Sequence, residues 1–228
     1  MSRALSPDRR KAKTKAASGQ GDRKSTKAVP GRRRVAAGSG TLDLFGAERL
    51  PQGLKYQAEF ISLEEERRLL RDIEVLPCKE FEFHGFTGKR RTVSFGWRYD
   101  FNGGGLSKTE DMPTFLASIR AQAEMFAGNA PGSFQQVLVT EYSPEAGIGW
   151  HKDRSVFGDV VGISLLSPCT FRLRKRTGKG FERQTLIVEP RSVYLLRGVS
   201  RTEWEHSLPG VESLRYSLTF RNVLERGG

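Results

Sequence analysis

Two histidines and an aspartate constrain most tightly what this chain can fold into. His151 and Asp153 stand two apart in Gly149-Trp150-His151-Lys152-Asp153, and His206 follows 55 residues after His151. On a strand, residues i and i+2 share a face, so His151 and Asp153 can chelate one ion from one side of a sheet. His206 must arrive from a distant strand, so the site forms only if the whole fold closes around it. Two imidazoles and one carboxylate on one face of a metal leave the opposite face open. Non-haem Fe(II) uses that set to hold an organic co-substrate and O2 together. His-x-Asp alone also describes an ordinary surface pair, but the chain has only three histidines and two of them belong to this pattern.

The run Arg215-Tyr216-Ser217-Leu218-Thr219-Phe220-Arg221 supplies the second half of the site. Arg215 and Arg221 are six apart, an even offset, so one strand presents both on one face while Tyr216, Leu218 and Phe220 take the other. Two guanidiniums facing into a barrel require anions, because an unpaired buried charge is costly. A small dicarboxylate suits them, since the guanidinium fork matches a carboxylate bidentately. A solvated edge strand with two exposed arginines is the plainer alternative.

The rest of the chain describes the scaffold. Ser62-Leu63-Glu64-Glu65 reads as a capping box, followed by Leu69, Leu70, Ile73 and Leu76 at helical spacing and a stop before Pro77. A second helix is predicted from about Pro113 to Phe126, ended by Asn129, Pro131 and Gly132. From Phe134 onward, short strands alternate with Gly and Pro: 135–142, 160–166, 169–174, 184–189, 192–196 and 214–222. Many short strands without β-α-β alternation predict an α+β, mainly β fold: a double-stranded β-helix (jelly roll) with two supporting N-terminal helices.

These elements together resemble the AlkB family of Fe(II)/2-oxoglutarate-dependent dioxygenases, whose pattern runs N-x-Y, H-x-D, H, R-x5-R. Here Thr140-Glu141-Tyr142, His151-Lys152-Asp153, His206 and Arg215 to Arg221 stand at those places. The resemblance covers about residues 55 to 225. It implies His151, Asp153 and His206 as Fe(II) ligands. It further implies that Arg215 pairs with the distal carboxylate of 2-oxoglutarate, that Tyr142 donates to it, and that Arg221 lies near the carboxylate that chelates iron. Two departures stand out. Thr140 replaces the family asparagine, so one polar contact to the co-substrate is shortened or lost. Ser155 occupies the place where many base-repairing members carry a second acid. The strings Gly147–His151 and Gly158–Leu165 look more like the branch with RNA-directed members than like the founding DNA-repair enzyme.

The net charge of +12 is unevenly spread. Residues 1–40 carry 12 Lys or Arg and 2 Asp, and the first aromatic is Phe45. Such a segment cannot bury enough apolar surface to fold alone, so 1–42 reads as a disordered basic arm and 43–228 as the dioxygenase domain. The arm suits phosphate backbones; a solubilising tail or a transit peptide are alternatives. No stretch approaches the roughly 20 apolar residues of a membrane span. Two cysteines, Cys78 and Cys169, have no metal spacing and fit a reduced, cytoplasmic setting. A monomer is expected.

The segment 85–99 mixes bases, aromatics and glycines. Arg90 and Arg91 suit phosphates, and Trp97 and Tyr99 suit base stacking; a basic hairpin packed by its own aromatics fits equally well. Trp150 and Trp204 read as packing walls, although Trp204, two before His206, can border the metal cavity. Arg172 and Arg174 share a face that is either solvated or part of a nucleic-acid groove. The expected activity is oxidative demethylation of N-alkylated bases, of the 1-methyladenine and 3-methylcytosine type, in single-stranded DNA or RNA. It uses Fe(II), 2-oxoglutarate and O2. The same chemistry on a methylated protein side chain, or a nucleic-acid-binding module without catalysis, are the rivals.

Overall fold

The computed structural model describes residues 50–83 and 86–224; the basic arm, the first residues of the expected domain and His84 lie outside them. The architecture is a jelly roll of two facing antiparallel sheets. The larger has seven strands in the order β1 (Leu54–Gln57), β11 (Val193–Leu196), β8 (Phe157–Leu165), β13 (Arg215–Val223), β6 (Gln136–Tyr142), β3 (Phe86–Phe95), β2 (Lys79–Phe83). The smaller runs β10 (Gly180–Val188), β9 (Cys169–Thr177), β12 (Trp204–Leu208), β7 (Ile148–His151), and a separate ribbon pairs β4 (Trp97–Asp100) with β5 (Gly105–Lys108).

Both expected helices form on the outer face of the large sheet. Helix α1 (Leu63–Ile73) is capped by Ser62, whose Oγ accepts from the Glu65 amide at 3.1 Å, as its sequence dictates. Helix α2 (Ala117–Ala127) is entered through a 3-10 turn over Thr114–Leu116 and ends on Gly128 in the left-handed region, φ 69°. Leu69, Ile73, Leu116, Ile119 and Ala123 pack against Val139, Val161, Ile163, Leu218 and Phe220. Two buried carboxylates fasten the helices to the sheet. Glu66 accepts from the Leu166 amide at 2.8 Å, and Glu124 accepts from the Phe134 and Gly132 amides at 3.0 and 2.9 Å.

This packing explains strand β13. Tyr216, Leu218 and Phe220 face the helices in a fully apolar layer, which leaves Arg215, Ser217, Thr219 and Arg221 on the face toward the small sheet. β6 and β8 alternate the same way, with Val137, Val139, Val161 and Ile163 under the helices. The outer face of the large sheet is therefore apolar, whereas its inner face sets the polar row of β13 beside a second apolar cluster in which Leu54, Val160 and Leu196 meet Phe171 and Leu173 of the small sheet. Buried polar groups such as that row need polar partners.

Candidate active site

The inner space is a cavity of about 1390 Å³ lined by both sheets, by the β4–β5 ribbon and by the loop after β7. Its deep end gathers the predicted metal residues. His206 on β12 and His151 on β7 are direct cross-strand partners, with ring centroids 4.2 Å apart. His206 Nε2 lies 3.7 Å from Asp153 Oδ2, and both side chains are over nine-tenths buried. His151 Nδ1 is 2.9 Å from the Gly149 carbonyl. A proton held there leaves the Nε2 lone pair for a metal. His206 is buried and His151 and Asp153 are half-buried as whole residues, and among the described residues no trio of donors is already closed to coordination geometry.

The electrostatics prepare these groups as ligands. Burial pushes the Asp153 carboxyl up, but Arg221 first, then His206, His151 and Arg201, overcome it and hold it well below the usual carboxylate range. Burial, helped by neighbouring His151, pushes His206 down to about 3, against the pull of Asp153. An ionised carboxylate and a neutral imidazole are the forms that bind a cation.

Arg221 lies beside the predicted metal residues and is engaged by one of them. Its Nε and Nη2 donate to Asp153 Oδ1 at 2.9 and 2.7 Å, and its Nη1 donates to Gln136 Oε1 at 2.9 Å. It orients the metal carboxylate itself and leaves Oδ2 for the ion. Arg215 lies further along the same face, 2 % exposed. Its Nε donates to Ser164 Oγ at 3.1 Å, and its guanidinium stands 4.8 Å from the ring centre of its cross-strand partner Tyr142. Thr140, buried and paired in register with Ser217, lines the same end.

The fit of a metal and an anionic co-substrate can be tested on two atoms. Asp153 Oδ2 and Arg215 Nη1 are both buried and both lack a hydrogen-bond partner. Buried polar groups are nearly always satisfied. A cation at the first atom and a carboxylate at the second satisfy both, so the donor set fits Fe(II) with a short dicarboxylate.

Several contributors were not foreseen. Tyr194 on β11 pairs with Gly162 on β8, and its ring fills the space a Gly162 side chain would take. It stacks on Phe171 at 4.9 Å and presents its phenol to the cavity beside Tyr142 and Arg215. Burial pushes that phenol up, so it is a donor throughout the physiological range. The only sequence signal was a glycine opposite a tyrosine, visible once the register is known. Arg201, 8 % exposed, donates to the carbonyls of Arg154, Phe157 and Gly158 at 2.6, 2.8 and 3.0 Å. It fixes the loop that carries Asp153, and nothing in its local sequence announces this.

At the mouth the tentative substrate residues divide. Arg90 and Tyr99 line the cavity; Arg91, Trp97 and Ser155 do not. Arg90 and Arg91 are strand neighbours, so only one can face inward. Arg91 turns to the other side and bonds Glu141 and the Cys78 carbonyl. Trp97 lies at the far end of the ribbon beside Lys108, and Ser155 is exposed outside the cavity. The mouth instead uses Phe81, Phe101 and Arg154. The Arg90 guanidinium sits 3.7 Å over Phe81, and that of Arg154 sits 4.9 and 5.0 Å over Tyr99 and Phe101. Trp204 is a core residue as expected and does not reach the cavity. Trp150 is half-buried and borders the cavity, with the guanidiniums of Arg174 and Arg172 at 4.4 and 5.2 Å from its ring centre.

A family model described as the 2OG-Fe(II) oxygenase superfamily matches residues 78–221, which span every residue of the deep site. The chain belongs to that superfamily, in its AlkB-like branch. It is therefore an oxygenase that uses Fe(II), 2-oxoglutarate and O2. It is 25 % identical over 192 residues to the alkylated DNA repair protein ALKBH8 homolog of Arabidopsis thaliana, covering 74 % of this chain and 54 % of that one. It is 29 % identical over 170 residues to the alpha-ketoglutarate-dependent dioxygenase alkB homolog 7, mitochondrial, of Bos taurus, covering 70 % and 69 %. The chain thus spans about half the length of the plant relative. Its fold matches the solved structure of OsALKBH1 with a TM-score of 0.61 at 16 % identity, over 76 % of this chain and 98 % of the other.

Proposed function

We propose that this oxygenase oxidises an alkyl group on a base of single-stranded DNA or RNA. One observation carries the reading. The deep ligand set opens directly onto a mouth walled by Phe81, Tyr99 and Phe101 and flanked by Arg90 and Arg154. Aromatic faces take a flat base and guanidiniums take its phosphates. A duplex base must leave its stack to reach so deep a centre, which favours single strands.

His151, Asp153 and His206 hold the iron; Arg215, Tyr142 and Tyr194 hold the distal carboxylate of 2-oxoglutarate, and Thr140 lines the same pocket. Arg221 keeps Asp153 oriented. The bound metal and co-substrate supply the oxidising chemistry: O2 and 2-oxoglutarate give succinate, CO2 and one oxygen atom inserted into a substrate C–H bond. On an N-methyl group the product is N-CH2-OH. Its C–N bond breaks with the electron pair passing to nitrogen, the hydroxyl gives up its proton (to that nitrogen in a neutral base, to water in a cationic one), and formaldehyde leaves. The protein's share is to place the methyl carbon and to exclude stray water.

The test is succinate and formaldehyde release on a panel of methylated DNA and RNA oligomers. Turnover on at least one methylated base, lost in His151→Ala, supports the reading. Turnover confined to methylated peptides, or binding of single strands without any turnover by iron-loaded protein, overturns it.

A further inference from the structure

The cavity mouth carries a charge pattern that bears on which base can enter. Beside the metal ligand Asp153 stands Arg154, and Ser155 follows it, so neither of the two positions after the ligand is acidic. Arg154 is exposed at the rim, but its side chain is directed onto the cavity wall. Its guanidinium lies on the faces of Tyr99 and Phe101, themselves packed edge to face at 5.1 Å. Its backbone is fixed by Arg201. Across the mouth Arg90, half-buried, lies on Phe81 and donates to the Gly147 carbonyl at 3.4 Å. Phe81 in turn meets Phe101 at 5.6 Å, so the two guanidiniums flank one continuous aromatic wall.

Apart from the metal and co-substrate residues, the lining holds five Lys or Arg, among them Arg90 and Arg154, and three carboxylates: Glu80, Asp100 and Glu110. Asp100 is occupied by its own turn, accepting from the Asn102 amide at 2.8 Å. Lys152, on the other flank of Asp153, donates to the Thr202 carbonyl at 2.8 Å.

An N-methylated base falls into one of two electrical classes. 1-methyladenine and 3-methylcytosine, methylated on a ring nitrogen, carry a formal positive charge; 3-methyluracil and 3-methylthymine, also methylated on a ring nitrogen, and N6-methyladenine, methylated on its exocyclic amine, carry none. A cationic ring gains from a carboxylate and loses beside a guanidinium, and the loss grows as water is excluded. Resting on the proposed action on nucleobases, we infer that this cavity takes an uncharged alkylated base and turns away a cationic one, with Arg154 as the residue that sets the preference. This departs from the expectation of 1-methyladenine and 3-methylcytosine drawn from the sequence, since both are cationic. The rim position of Arg154 lets solvent weaken the effect, so the discrimination is moderate.

The closest test compares 3-methyluracil with 3-methylcytosine, two rings of nearly the same shape and opposite class, in single-stranded oligomers of identical sequence. For the iron-loaded full chain the expected kcat/KM is at least ~10-fold higher for 3-methyluracil. Equilibrium binding of the same oligomers without O2, read by fluorescence anisotropy, follows the same order. Arg154→Glu reverses that order in both readouts, whereas Arg176→Glu, on an exposed position of β9, leaves it as in the wild type. Preference of the unaltered enzyme for 3-methylcytosine overturns the inference while keeping the nucleobase reading. So does an equal loss on both oligomers in Arg154→Glu, which makes Arg154 a phosphate contact. No turnover on any base, in protein that still releases succinate with another acceptor, overturns the nucleobase reading and this inference with it.

Discussion

The two ends of the cavity are built by different rules. The deep end stands on strand interiors. Its charges are buried and interlocked, and its two unsatisfied atoms, Asp153 Oδ2 and Arg215 Nη1, point to the ligands that complete it. The mouth is built from a ribbon, a loop and a strand edge. Its cations are partly exposed and rest on aromatic rings. The difference teaches where chemistry and selectivity are stored. Chemistry needs groups whose ionisation is fixed by a dry, rigid surround. Selectivity needs a surface that can change without unfolding the sheet.

The sharpest way to break this contrast is to remove a deep charge. Arg221→Ala leaves Asp153 ionised and buried without its closest partner, at a cost of about 3–5 kcal/mol, and thermal unfolding should show it as a large drop in Tm. Asp153→Ala should abolish metal-dependent succinate formation, a loss of about 1,000-fold or more. If either change proved as mild as a mouth substitution, the distinction between the two ends would fail.

Arg215 offers a subtler separation. Its Nη1 has no partner without co-substrate, so Arg215→Leu should leave the ligand-free protein at least as stable. The same change should raise KM for 2-oxoglutarate about 100-fold. Thermal shift with and without 2-oxoglutarate, beside steady-state kinetics, checks both halves.

The deep end should also respond to pH. In the folded, metal-free protein His206 titrates at about 3, below the ordinary 6.5. Between those values the unfolded chain binds more protons than the folded one. Stability therefore rises with pH through that window, is fully present above it, and is lost as pH falls. Denaturant unfolding of the metal-free protein from pH 4 to 7 should show this slope, and His206→Gln should flatten it.

The smallest effects belong to single hydroxyls and to the mouth. Tyr194→Phe and Tyr142→Phe should each raise KM for 2-oxoglutarate by about 5- to 10-fold through one lost hydrogen bond. Tyr99→Ala should weaken oligomer binding by about 10-fold, while Trp97→Ala and Arg91→Ala, which face away, should change it by less than about 2-fold.

How much of this was legible beforehand follows the same division. His151, Asp153, His206, Arg215 and Arg221 were legible because a metal and a dicarboxylate demand particular residue types, and a strand's period of two says which can share a face. The caps and apolar rows of α1 and α2 were legible for similar local reasons. Strand ends shifted by one to four residues where pairing, not composition, decided them, as in β10, which begins at Gly180. The mouth was not legible to the same degree. Composition marked 85–99 as basic and aromatic, but choosing Arg90 over Arg91 needs the phase of β3, and Arg154 is recruited by Tyr99 and Phe101 from 55 and 53 positions away. Arg221 shows a third limit: its position was foreseen, but its partner Asp153 comes only with the closed fold.

The central claim is that His151, Asp153 and His206 close on one ferrous ion while Arg215 anchors the co-substrate beside it. An anaerobic titration with Fe(II) and 2-oxoglutarate tests it, following the visible charge-transfer band of a chelated 2-oxo acid. The band should saturate at one iron per chain, vanish in Asp153→Ala and His206→Ala, and require far more 2-oxoglutarate in Arg215→Leu. A band of unchanged strength and affinity in Asp153→Ala would contradict the account.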